Sequence, residues 1–175
     1  MNVVRLAFAI ALTLAGVLQG MEKAHAAPKQ LLNKSIVISW SDSVYQKYPD
    51  GQKGTATITR QRIAYISSAG RVFIKSQNSD RAQQLNREIA PGDETGSLAF
   101  KGDVMVSHVV FNGFARQLTV RFDASFTSCN ATVVYGRSGG PRTWKSFDQK
   151  RTFEVETISA GSPSCSIRNG NAVSS

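Results

Sequence analysis

Three groups of residues combine types and spacing that could do chemistry. In Arg142-Thr143-Trp144-Lys145-Ser146-Phe147, continuing to Lys150 and Arg151, cations are interleaved with aromatic rings. Exposed rings stack on bases, sugars or lipid head groups, and neighbouring cations hold phosphate or sulfate. Arg142, Trp144, Lys145, Lys150 and Arg151 are therefore the candidate ligand-binding residues, and Arg60 and Arg62, which share strand parity, are a candidate extension of the patch. Glu154 and Glu156 form the second group. Residues two apart on a strand share a face at a backbone spacing of roughly 7 Å, within the range of about 5–9.5 Å that separates the paired carboxyls of glycosidases. Their simpler role is to pair with Arg or Lys across a sheet. The third group is His108 with Asp103 or Asp123 and one of many serines, the ingredients of a nucleophilic triad. No Gly-x-Ser-x-Gly elbow or Ser-x-x-Lys pair singles out a serine, so His108 reads as a surface residue and no catalytic residue is assigned.

Metals and cofactors are disfavoured by inventory. His108 is the one histidine after position 26, the aspartates lack the spacing of a calcium loop, and no phosphate-cradling or dinucleotide motif occurs. Two cysteines alone do not complete a metal site. Cys129 and Cys165 are an even pair far apart in sequence, which predicts one structural disulfide if the chain reaches an oxidising compartment.

That compartment is indicated at the N-terminus. Arg5 precedes an uncharged apolar run from Leu6 to Leu18, and Ala24-His25-Ala26 has the small-x-small pattern of a cleavage site. Residues 1–26 are read as a cleaved signal peptide, because a spanning helix needs about 20 apolar residues and this run is shorter. The expected address is periplasmic or secreted, with no transmembrane segment in the mature chain. The 149 residues from position 27 onward suit a single domain with a real core. The net charge of +9 falls by one when Arg5, Lys23 and Glu22 are removed. A basic exported protein favours anionic partners such as anionic lipid, lipopolysaccharide or acidic glycan, although a solvated basic surface would also keep it soluble.

The elements that would position these residues are strands. Val, Ile, Thr and Phe recur with period two between Gly, Asn, Asp and Pro clusters, the pattern of an antiparallel β-domain. A first strand over residues 35–45 places Ile36, Ile38 and Trp40 on one face, and Tyr48-Pro49-Asp50-Gly51 turns the chain. A second runs from residue 55 to residue 67 and pairs through Ser68-Ala69-Gly70 with a return strand over residues 71–76. Asn112-Gly113 predicts a type I′ hairpin with Phe111 opposite Phe114, Val109 opposite Arg116 and Met105 opposite Val120. That face, with Leu118 and Phe122, is assigned to the core; the other, with Val104, Val106, His108 and Val110, is apolar enough to be covered by a further element. The hairpin's second strand is expected to continue through Phe126. Strands then follow over residues 129–135 and 152–157, the latter with Phe153 and Val155 inward and both glutamates outward. Residues 77–96 read as an irregular excursion, with Asp80 able to cap a short helix through Ile89, and the end of the chain from Asn169 as flexible.

The expected fold is thus all-β, a single antiparallel barrel or sandwich of about eight to nine strands. The expected function is an exported, non-catalytic binding or interaction domain for an anionic or amphiphilic envelope ligand, bound by the basic-aromatic segment or a barrel interior. The alternative is a hydrolase acting on an envelope polymer through carboxylates such as Glu154 and Glu156.

Overall fold

The computed structural model describes residues 26–79, 81–89, 97–146 and 150–174. The signal-peptide reading, Asp80 and Phe147 lie outside them. After a 3-10 turn at Lys29–Leu31 the chain is all strand: β1 (Lys34–Lys47), β2 (Lys53–Ile66), β3 (Val72–Asn78), β4 (Arg81–Ile89), β5 (Ser97–Lys101), β6 (Val104–Phe111), β7 (Phe114–Phe122), β8 (Cys129–Arg137), β9 (Thr143–Lys145), β10 (Thr152–Ala160) and β11 (Ser164–Asn169). They form two antiparallel sheets. The larger curls into a half-barrel in the order β4-β3-β2-β1-β10-β9, with β11 also on β1, and the smaller runs β5-β6-β7-β8.

β1 organises the large sheet because it is long enough to serve two partners along one edge. β11 pairs with its first half, from Lys34 to Ser39, and β10 with its second, from Asp42 to Lys47. Its even positions from Ile36 to Val44 face the small sheet and are all buried. The inward residues sort into two apolar clusters. One holds Ile36, Ile38, Ile66, Met105, Leu118 and Val120; the other, nearer the β6–β7 hairpin, holds Val44, Ile58, Phe114, Val155 and Ile158.

The hairpin at Asn112-Gly113 forms as expected, with φ of 41° and 79° at the two turn residues and Phe111 opposite Phe114. A Cβ at Gly113 would lie 2.7 Å from Arg142 Cγ and 3.1 Å from the carbonyl oxygens of Gly140 and Pro141. Gly113→Val therefore combines left-handed backbone strain, about 1–3 kcal/mol, with a steric clash. Urea denaturation should show a loss of at least that size; an unchanged midpoint would contradict the turn geometry.

Several expectations are corrected. Residues 81–89 are neither helix nor irregular excursion but strand β4, paired with β3; an edge strand of polar residues lacks the apolar alternation by which strands are recognised. Residues 77–78 belong to β3, and 90–96 lie outside the described residues. β7 stops at Phe122, and residues 123–128 form a turn, with Phe126 at φ 54° and buried. The described C-terminal residues lie against the large sheet. β11 joins the sheet, and beyond it Ser35 Oγ donates to Gly170 O at 2.7 Å and accepts from Ala172 N at 2.9 Å. Val173 then packs on Val37 and Ile63, covering the outer face of β1 and β2. The outer face of the small sheet has no such cover among the described residues, where Val110 is 54% and Val134 62% exposed.

Asp123 organises the turn after β7, accepting from Ser125 Oγ and from the backbone N–H groups of Thr127 (2.7 Å) and Ser128 (2.8 Å). These bonds, that from Ser125 first, hold its carboxyl well below the usual range. A depressed folded-state pKa means that the turn's stabilisation is complete above the unfolded value near 3.9 and is lost only as pH falls beyond it. Amide-proton NMR should show Thr127 and Ser128 still hydrogen-bonded at pH 4 and released in stronger acid. Release already at pH 5 would contradict this.

Candidate ligand-binding site

The basic-aromatic segment is split by the strand it forms. β9 pairs with β10, setting Trp144 opposite Phe153 and Thr143 opposite Glu154. Alternation turns Trp144 inward, against Phe111 at 6.1 Å and edge-on to Phe114 at 6.4 Å between ring centroids, while Thr143 and Lys145 face solvent. Arg142 pairs with Glu154 at 2.5 Å. Lys150 and Arg151 are exposed on the loop that returns to β10, closed by Ser146 N donating to Arg151 O at 2.8 Å. Trp144 and Lys145 thus point to opposite faces of β9, while Arg142, Lys150 and Arg151 lie on the segments flanking the strand. Arg60 and Arg62 do not extend a surface patch: both are buried on the inner face of β2.

The two glutamates have separate partners. Glu154 holds Arg142. Glu156 is the extra residue of a β-bulge, since Tyr45 pairs with Thr157 and Gln46 with Val155, and it meets Lys53 at 3.5 Å. Exposed pairs of this kind contribute about 0–1 kcal/mol each. His108 lies on the outer face of the small sheet, exposed and opposite Gln117.

A different constellation lies between the sheets. Asp42, fully buried, continues the inward stripe of β1 between Trp40 and Val44. Trp40 Nε1 donates to its Oδ1 at 2.9 Å, and Arg60 Nε and the Tyr135 hydroxyl, the latter at 2.6 Å, donate to Oδ2. Arg60 reaches it because it stands opposite Trp40 on β2; Tyr135 comes from β8 in the facing sheet. Arg116 stands opposite Tyr135 in the register of β7 and β8, near enough for Tyr135, Arg60 and Asp42 to act on it electrostatically. Its guanidinium lies 5.2 Å from the centre of the Trp40 ring. These five side chains form a polar layer that separates the two apolar clusters.

Burial dominates the electrostatics of this layer. It pushes the Arg116 guanidinium below its ordinary range, assisted by repulsion from Arg60 and opposed by Tyr135 and Asp42. Burial also raises the Tyr135 hydroxyl, as does its bond to Asp42. The layer therefore contains two guanidiniums, one carboxylate and a neutral phenol. On its hairpin side the rings of Phe111, Tyr135, Trp144 and Phe153 pack around Phe114 while remaining partly open to solvent. Within that region Trp144 Nε1 is buried without a hydrogen-bond partner among the described residues. Such an arrangement is equipped to hold an anionic group beside an apolar one.

Away from this layer, beside the cluster of Ile36, Ile38 and Leu118, the small sheet is tied to the large one by a disulfide between Cys129 at the start of β8 and Cys165 on β11. Among the described residues no helix is long and apolar enough to cross a membrane. Comparison with known proteins finds no matching family model, curated protein or solved structure. The fold and site define the class no further than a two-sheet antiparallel β-domain with a charged layer in its interior.

Proposed function

We propose that this chain is an exported, non-catalytic binding domain for an anionic amphiphile of the cell envelope, and that it binds its ligand between the sheets. The observation that carries the reading is the composition of the inner layer: Arg60 and Arg116 share one carboxylate, Asp42, next to a partly open aromatic region. An excess cation in a low-dielectric interior is costly unless paired, and a ligand's anionic head relieves that cost. The unpartnered Trp144 Nε1 supports the same reading, because a buried donor left unmade costs about 1–3 kcal/mol. Export is supported by the disulfide, which persists in oxidising compartments.

Titration with single-chain amphiphiles, followed by tryptophan fluorescence, tests this. Dodecanoate should bind saturably at one equivalent, and dodecanol more weakly. Raising salt from about 50 to 500 mM should change the affinity little, because buried charges are poorly screened. Binding that collapses with salt and with neutralisation of Lys145, Lys150 and Arg151 would place the interaction on the outer surface instead. Absence of binding would overturn the reading.

A further inference from the structure

We infer that Arg116 is the residue that receives the ligand's head group, and that the head is a singly charged carboxylate on an apolar chain. The inference rests on the binding reading above. Asp42 is already occupied at both oxygens, by Trp40 on one and by Arg60 and Tyr135 on the other. Arg60, at 6% exposure, is sealed inside with its carboxylate. Among the described residues Arg116 has no carboxylate of its own: it feels Tyr135 and, more weakly, Asp42. It is also partly open to solvent, as are Tyr135 and Val109, its partners on either side in the register. The uncompensated positive charge therefore resides on the one guanidinium of the layer that an incoming molecule can reach.

The geometry of that guanidinium selects the head. Its central carbon lies over the Trp40 ring, 5.2 Å from the ring centre, and its N–H donors remain to act. A guanidinium carries five donors in a fixed fork. A carboxylate matches such a fork through two parallel bonds. Charge balance points the same way, because one negative charge neutralises the layer, whereas a phosphate monoester at about −1.5 to −2 exceeds it. The chain attached to the head would lie on the hairpin side, over the partly open rings of Phe111, Tyr135 and Trp144.

The test is calorimetric titration of the full mature chain, wild type, Arg116→Leu and Arg116→Lys, with dodecanoate, dodecyl phosphate, dodecanol and acetate below their micelle concentrations. Wild type should bind dodecanoate at least tenfold more tightly than dodecanol or acetate, and more tightly than dodecyl phosphate. In Arg116→Leu the preference for dodecanoate over dodecanol should vanish while weak dodecanol binding persists. Arg116→Lys, which keeps the charge and loses the fork, should fall between them and serves if the leucine variant does not fold. The preference for carboxylate over alcohol is a readout that general loosening of the core would not abolish selectively. An undiminished preference in the folded variants would overturn the role of Arg116. Tighter binding of dodecyl phosphate would overturn the singly charged head, and acetate equal to dodecanoate would overturn the apolar chain. Wild type that binds none of the four fails the binding reading itself, a result distinct from each of these.

Discussion

Asp42→Asn should cost about 3–5 kcal/mol, the range for removing one partner of a buried ion pair. Asparagine keeps the size of the side chain and can still accept from Trp40 Nε1, so the loss isolates charge from packing. What it leaves behind is Arg60, 6% exposed, and Arg116 against the Trp40 ring with no other buried carboxylate among the described residues. Whole domains are stable by only about 5–15 kcal/mol, so the variant should denature at a much lower urea midpoint. Adding Arg60→Met should recover part of the loss, because one of the two stranded cations is then gone and the two sites are coupled. A change below about 1 kcal/mol in the single variant would mean that the layer is not the charged, closed network described above.

Removing the disulfide should have an effect of similar size by another route. Cys129 and Cys165 are 36 residues apart, and closing a loop of that length stabilises by about 3–4 kcal/mol in the chain-entropy account. The bridge has a local role as well, because it fastens β8, which brings Tyr135 to the layer, to β11 on the opposite sheet. Cys129→Ser with Cys165→Ser should lower Tm by on the order of 10 °C and retain a β-sheet circular dichroism spectrum, since β1, β2 and β3 pair independently of the bridged segment. Reduction that leaves Tm unchanged would contradict this.

What could be read from the sequence follows how local each signal is. The Asn112-Gly113 turn encodes its own register through left-handed backbone, so the pairs across β6 and β7 were legible from two residues. The alternation in β1, β2, β8 and β10 was legible because apolar side chains mark the inward positions. β4, β9 and β11 were not: one is a polar edge strand, one is three residues long, and one, Ser-Cys-Ser-Ile-Arg-Asn, is made a strand by the free edge of β1. Tertiary context decides such segments, not propensity.

The site shows the same division. Local density of charge and aromaticity draws attention to Arg142 to Arg151, where β9 then turns Trp144 away from Lys145. Asp42, Arg60 and Arg116 are far apart in sequence and carried by no recognisable motif, in Trp40-Ser-Asp-Ser-Val44, Ile58-Thr-Arg-Gln-Arg62 and Phe114-Ala-Arg-Gln-Leu118. The available signal was parity: each occupies an inward position of its strand, and the hairpin register had already placed Arg116 on the core face. What parity cannot supply is that three separate strands bring these charges to one level of the interior, because that depends on how the sheets pack.

Nuclear magnetic resonance of the 15N-labelled chain from residue 27 onward, recording backbone amides together with the tryptophan and arginine side-chain N–H groups during addition of dodecanoate, tests the central claim most directly. The account predicts that the largest shifts fall on Trp40 Nε1, Arg60 and Arg116 Nε and the amides around Tyr135, with smaller ones on Trp144 Nε1, and that Lys145, Lys150 and Arg151 stay where they were. Shifts confined to those exposed cations, or no shifts at all, would contradict it.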